Sequence, residues 1–166
     1  VESGKDELVL DLRGNPGGFL QSAVAITSFF LPAGEVIVRE SFSADTPERV
    51  FRSYGRTLKD YAPKKMAILI NGGSASASEI VAGALSEHGY ATLIGSQTFG
   101  KGSVQELIDL PSGASLKVTV AKWLTPDGVS ISENGIAPDI EVERTREDML
   151  EERDPQYDRA IEWFNE

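Results

Sequence analysis

Apolar residues fall into short runs separated by breaks rich in glycine, proline and asparagine, and the runs alternate between two periods. Glu7–Leu12 predicts a short buried strand, which Arg13-Gly14-Asn15-Pro16-Gly17-Gly18 breaks sharply. Phe19, Ala23, Ile26 and Phe30 then recur at helical spacing until Pro32 and Gly34 stop the helix. Val36-Ile37-Val38 predicts a second strand. Residues 41–65 are polar and mixed, an irregular excursion with one strand near Val50–Tyr54. Met66–Ile70 is the most apolar run, expected in a central position buried on both faces. After Asn71-Gly72-Gly73 a helix is expected from about Ser76 to Glu87, with Ile80, Val81, Ala84 and Leu85 as its apolar stripe. Thr92–Ile94, Val104–Leu110 and Ser115–Leu124 predict further strands, the last alternating Leu116, Val118 and Val120. Asp139–Val142 adds a final strand, and Asp154-Pro155 opens a short helix carrying Tyr157, Ile161 and Phe164.

Strand–helix alternation in the first half implies right-handed crossovers and a largely parallel sheet, hence an α/β fold; strands dominate afterwards. In such sheets the loops at the strand C-terminal ends carry the site. Three qualify: Arg13–Gly18, Asn71–Ser78 and Gly95–Gly102.

Composition narrows the chemistry. The 166 residues fit one domain, with 144–166 read as an acidic connector and short helix. A net charge of -10 argues against nucleic acid as a partner. The chain has no cysteine and one histidine, which excludes thiol catalysis and leaves no zinc constellation; no metal is expected. No run approaches a membrane span, and residues 1–12 do not read as a signal peptide. Val1 opens almost directly into a strand, as in a piece cut from a longer chain.

The Asn71–Ser78 loop places serines between a buried strand and a helix start, beside free N–H groups and the positive end of the helix dipole. An oxyanion could rest there. Ser76-Ala77-Ser78-Glu79 also fits the S-x-x-E capping box, which would make Ser76 a plain cap. Residues Gly95 to Lys101 satisfy G-x-x-x-x-G-K, but Gly102 follows where a phosphate loop needs Ser or Thr, and the chain continues as a strand. Lys101 reads either as a solvated surface lysine or as a base posed by its flanking glycines. A lysine acts as a general base when its pKa falls from about 10.4 towards about 7–8. His88 lies too far along the helix from Ser76 to activate it, about 18 Å of rise, and suits the helix C-terminus instead. Ser–Lys is then the remaining serine-hydrolase variant. Arg13–Gly18 reads as a tight turn or an anion cradle.

The ordered set Leu10–Gly18, Gly73–Ile80, Thr98–Gln105 and Gly135–Asp139 resembles the carboxy-terminal processing peptidases, or tail-specific proteases, over about residues 7–143. The resemblance implies a crotonase-like α/β fold with a twisted mixed sheet and flanking helices, and serine endopeptidase activity through an acyl-enzyme. It implies Ser76 as nucleophile, Lys101 as general base and Gln105 as the residue that orients the lysine. Ala77 N–H, with Gly17 or Gly18 and Gly17 favoured, would form the oxyanion hole. No cofactor is implied. Expected partners are unfolded or C-terminally exposed protein substrates, with a PDZ domain in the full-length protein and a homo-oligomer left open. The implied location is periplasmic or extracytoplasmic at a membrane. A crotonase-like acyl-thioester enzyme and a catalytically incomplete peptide-binding fragment stand as alternatives.

Overall fold

The computed structural model describes residues 6–42, 46–55, 63–132 and 134–166. Its elements are β1 (Glu7–Asp11), α1 (Leu20–Thr27), β2 (Val36–Ser41), β3 (Arg49–Arg52), β4 (Lys65–Ile70) and α2 (Ala77–Glu87). They continue with β5 (Thr92–Gly95), β6 (Ser103–Asp109), β7 (Ser115–Leu124), β8 (Ile140–Glu141), α3 (Arg146–Leu150) and α4 (Pro155–Phe164). Part of the polar excursion at 41–65 lies outside the described residues, but its expected strand is present as β3.

The α/β expectation holds, and the strands divide into two four-stranded sheets. One is parallel, in the order β1-β4-β5-β8; the other is antiparallel, in the order β3-β2-β7-β6. The all-apolar run in β4 explains its place, since a central parallel strand has both faces covered. Met66, Ile68 and Ile70 turn to the main core, shared with Ile80, Val81 and Leu85 of α2 and Ala23 and Val24 of α1. Ala67 and Leu69 turn the other way, with Ile94, onto Ala160, Trp163 and Phe164 of α4. Each such fully buried aliphatic side chain contributes about 1.5–3 kcal/mol.

The C-terminal segment is therefore more than a connector. Its acidic run forms α3, capped by Thr145 and Asp148 with no buried residue, while α4 covers the second face of the parallel sheet. Asp154 caps α4 by accepting the Tyr157 N–H at 3.1 Å, with Pro155 in the first turn. His88 caps the far end of α2, and its Nε2 donates to the Val36 carbonyl at 2.7 Å.

Candidate active site

The three loops singled out in the sequence converge at the C-terminal ends of β1, β4 and β5, where they are laced by hydrogen bonds. In the second loop the serines separate by their partners. Ser74 is buried and its hydroxyl donates to the Leu12 carbonyl at 2.8 Å; Ser78 is buried and donates to the Asn15 carbonyl at 3.1 Å. Ser76 is half-buried and sits at φ 56°, ψ -116°. That left-handed conformation is costly for a residue with a Cβ, about 1–3 kcal/mol. Ser76 occupies the capping-box position at the start of α2, with its side chain set towards the Glu79 N–H. The box is closed from the other side, by the Ser76 N–H donating to Glu79 Oε2 at 2.7 Å.

The first loop packs against this elbow through Gly17. A Cβ at Gly17 would lie 2.5 Å from the Ala75 carbonyl oxygen, 2.8 Å from Ala77 N and 2.9 Å from the Ser76 Cβ. Gly17 also has φ 92°, so glycine is required on both counts. Its N–H donates to Asn15 Oδ1 at 3.0 Å, and the Gly14 N–H donates to Asn71 Oδ1 at 2.9 Å. The N–H groups of Gly18 and Ala77 have no protein partner among the described residues. Ala77 is the first residue of α2, so its free N–H follows from helix geometry.

The third loop is held by Glu79, which is fully buried. Glu79 Oε1 accepts from Thr98 Oγ1 at 2.6 Å and from the Gly100 N–H at 2.7 Å. Glu79 Oε2 accepts from the Lys101 N–H at 3.0 Å, the same oxygen that holds the Ser76 N–H. One carboxylate thus joins the backbones of Ser76 and Lys101. It also occupies the N–H groups that a phosphate loop would present to a ligand, and the chain then enters β6 and not a helix. The Lys101 side chain is exposed and makes no hydrogen bond to Ser76 among the described residues. Gln105 is exposed on β6 and lines the cavity that contains Ser76.

Glu79 has no role beyond the capping box in the sequence reading. A glutamate at the third helical position is an ordinary capping signal, and its reach into the Thr98–Lys101 loop is a tertiary fact.

Arg13 anchors the first loop from below. Its guanidinium makes paired contacts with Asp11, at 2.9 and 2.7 Å, and with Asp154, at 2.7 and 2.8 Å, and also donates to Gln156 Oε1 at 3.1 Å. Hydrogen bonds from Arg13 hold both carboxyls below their usual range, and the two aspartates raise the arginine further.

Two cavities flank the elbow. One, of about 190 Å³, is lined by Gly18, Ser76, Ala77, Val104, Gln105 and Trp123 among others. The other, of about 160 Å³, lies behind Gly17, Gly18 and Ala77 and is walled by the apolar Leu10, Leu12, Ala23, Ile26 and Val81. Among the described residues no group of histidine, aspartate and glutamate is placed to hold a metal.

A parallel sheet with a strained serine at a helix N-terminus, beside two N–H groups without a protein partner among the described residues, is an α/β arrangement of the kind that hydrolases use. The chain belongs to Peptidase family S41, whose profile it matches over residues 1–142. It is 50% identical over 136 residues to a carboxy-terminal-processing protease of Bartonella bacilliformis, covering 82% of this chain and 31% of that protein. It is 40% identical over 149 residues to a "Probable CtpA-like serine protease" of Staphylococcus aureus, covering 90% and 30%. The chain thus spans about a third of the length of these relatives. The solved structure of the photosystem II D1 C-terminal processing protease superposes with a TM-score of 0.78 at 34% identity, over 86% of this chain and 36% of that one.

Proposed function

We propose that this chain is the catalytic core of a serine endopeptidase that acts through a Ser76–Lys101 dyad and an acyl-enzyme. The observation that carries the reading is the shared Glu79 oxygen, which fixes the Ser76 and Lys101 backbones to one atom. In the reaction, the Lys101 amine in its neutral form takes the Ser76 proton as Oγ attacks the scissile carbonyl. The tetrahedral oxyanion rests on the Ala77 N–H and a glycine N–H of the first loop. The sequence reading favours Gly17, but that N–H is already donated to Asn15, so the role passes to Gly18. The protonated lysine then supplies the leaving amine with its proton, and water releases the acyl group from Ser76. Gln105, four residues beyond Lys101 on β6, orients the amine.

The apolar well behind the oxyanion donors takes the side chain preceding the scissile bond and so favours aliphatic residues there. Family likeness extends the proposal to protein substrates recognised near their C-termini, to a PDZ domain elsewhere in the full-length protein, and to a site outside the cytoplasm.

The test is made in the full-length protein. Ser76→Ala and Lys101→Ala each abolish peptide cleavage with folding intact, and a serine-directed phosphonate labels Ser76 in the parent. Normal turnover in either variant would sink the dyad. An acyl-thioester enzyme on the same fold has no need of Ser76 and would leave it unlabelled, and a peptide-binding fragment would bind without labelling.

A further inference from the structure

The β6–β7 hairpin leaves the body of the protein as an arm. From Gln105 to Lys117 every residue is exposed, and β6 is the outer strand of its sheet. Among the described residues nothing packs on its outer part, and a bare two-stranded hairpin is marginal in water. This one nevertheless carries Leu107 at 65%, Ile108 at 42%, Leu110 at 41% and Leu116 at 51% exposure.

The exposed residues are ordered, not scattered. The register sets Ile108 opposite Leu116, Glu106 opposite Val118 and Val104 opposite Ala121. Side chains alternate between faces, so Val104, Glu106, Ile108, Leu116 and Val118 share one, apolar but for Glu106, while Leu107 lies on the other. That face runs into the site, because Val104 packs on the core and lines the cavity containing Ser76.

β6 offers its backbone as well. The Gly102 carbonyl accepts from the Trp123 N–H at 2.6 Å, and the Leu110 N–H donates to the Ala114 carbonyl at 2.8 Å, so the even-numbered residues turn towards β7. Antiparallel alternation directs the N–H and C=O of Gln105, Leu107 and Asp109 to the open edge. The bulge at Val104/Gln105 does not disturb this, since its extra residue lies on β7. Edge strands are commonly blunted by charge or proline; β6 has no lysine or proline, and its two charges, Glu106 and Asp109, are both acidic.

Charge and continuity choose the occupant. Edge-to-edge pairing of two copies would crowd Glu106 and Asp109 of each together on a chain of net charge -10. A polypeptide threaded past Ser76 leaves the cavity along one of its walls, and β6 is the wall that continues outward. Resting on the peptidase reading, we propose that the open edge of β6 and the apolar face of the arm hold an extended, apolar segment of the substrate polypeptide. The segment adds as the next strand of the antiparallel sheet, beyond the residues bound at the elbow.

The experiment uses the full-length protein and two peptides sharing one cleavage sequence, a long one with an apolar flank and a truncated one without it. Ile108→Lys combined with Leu116→Lys is expected to lower kcat/KM on the long peptide about tenfold, mostly through KM, a change of about 1.4 kcal/mol. Cleavage of the truncated peptide and phosphonate labelling of Ser76 stay unchanged. Leu107→Pro, which removes an edge N–H without touching the β7 ladder, is expected to lose about fivefold more on the long peptide than Leu107→Ala. Equal rates across variants on both peptides overturn the proposal, as does an equal loss on both, which would assign the face to another part of the same polypeptide. A change in sedimenting mass overturns it in favour of a second copy. A wild-type protein that neither cleaves nor labels overturns the peptidase reading itself, and the arm proposal with it.

Discussion

At the scale of single residues, the site depends on a glycine and a carboxylate more than on its reactive groups. Gly17→Ala places a methyl 2.5–2.9 Å from three atoms of the elbow, two of them backbone, at a φ of 92°. Relief requires the first loop to lift from Ala77, and the proposed oxyanion donors separate. We expect a cost of about 2–3 kcal/mol in stability and a loss of activity well beyond it, read by urea unfolding beside steady-state kinetics. Glu79→Gln keeps shape but replaces one acceptor oxygen by an amide, against donors at Ser76, Thr98, Gly100 and Lys101. Leaving buried donors unpaired costs about 1–3 kcal/mol each. As a positioning residue, Glu79 should show its loss in kcat and in the rate of Ser76 phosphonylation, with KM for a short peptide nearly unchanged. A KM effect alone would contradict that role. Local pattern reaches Ser76 and Lys101 as candidates but leaves Ser76 tied with its neighbours and with a capping role, and the family resemblance makes the choice. The structure adds contacts that local pattern does not encode: Ser74 and Ser78 donate to the Leu12 and Asn15 carbonyls, and Glu79 reaches across to the Thr98–Lys101 loop.

At the scale of elements, the strands and the two long helices are legible because each is either uniformly apolar or periodic. β4 reads as buried on both faces and is; α2 reads from its aliphatic stripe and begins one residue after its predicted start. What pattern does not reveal is which face of β4 belongs to which layer, nor that α4 supplies the second layer. The Arg13–Asp154 clamp links that helix to the first loop, and its pH dependence tests the link. Both Asp11 and Asp154 have folded-state pKa values depressed by Arg13. A depressed carboxyl stabilises the fold above its unfolded value, near 3.9, and that stability is lost as pH falls through the folded value. Asp154→Asn should therefore lower stability by about 1 kcal/mol at pH 7, a figure kept modest because the Asp154 side chain is 28% exposed. The difference from the parent should close as pH drops below about 4. Thermal unfolding of both proteins across that range checks it, and a difference that persists in acid would assign the loss to the helix cap instead.

At the scale of the whole molecule, the parallel sheet is a wall between two cores of unequal size. The larger joins α1, α2 and the antiparallel sheet beneath the elbow; the smaller is Ala67, Leu69, Ile94 and Ala160 with Trp163 and Phe164 packed around them. The smaller core contains no part of the elbow, yet it sits on the strand, β4, whose end carries the Asn71–Ser78 loop. The Lys65 Nζ donates to the Trp163 and Phe164 carbonyls at 3.2 and 3.1 Å, closing the end of α4 against the start of the same strand. Ala160 is fully buried against Ala67, Leu69 and Ile94 of the sheet. Ala160→Glu forces a carboxylate into an apolar contact with no paired cation, so either α4 detaches or the group takes up a proton. We expect a loss of about 3 kcal/mol or more, with protection from hydrogen exchange falling first in α4 and then along β4 and β5. Ala160→Ser, of similar size, should cost far less and keep the exchange pattern. If Ala160→Glu left exchange in β4 unchanged, α4 would be an appendage to the sheet. If it loosened β4 together with the serine loop, the site's geometry would rest on both cores.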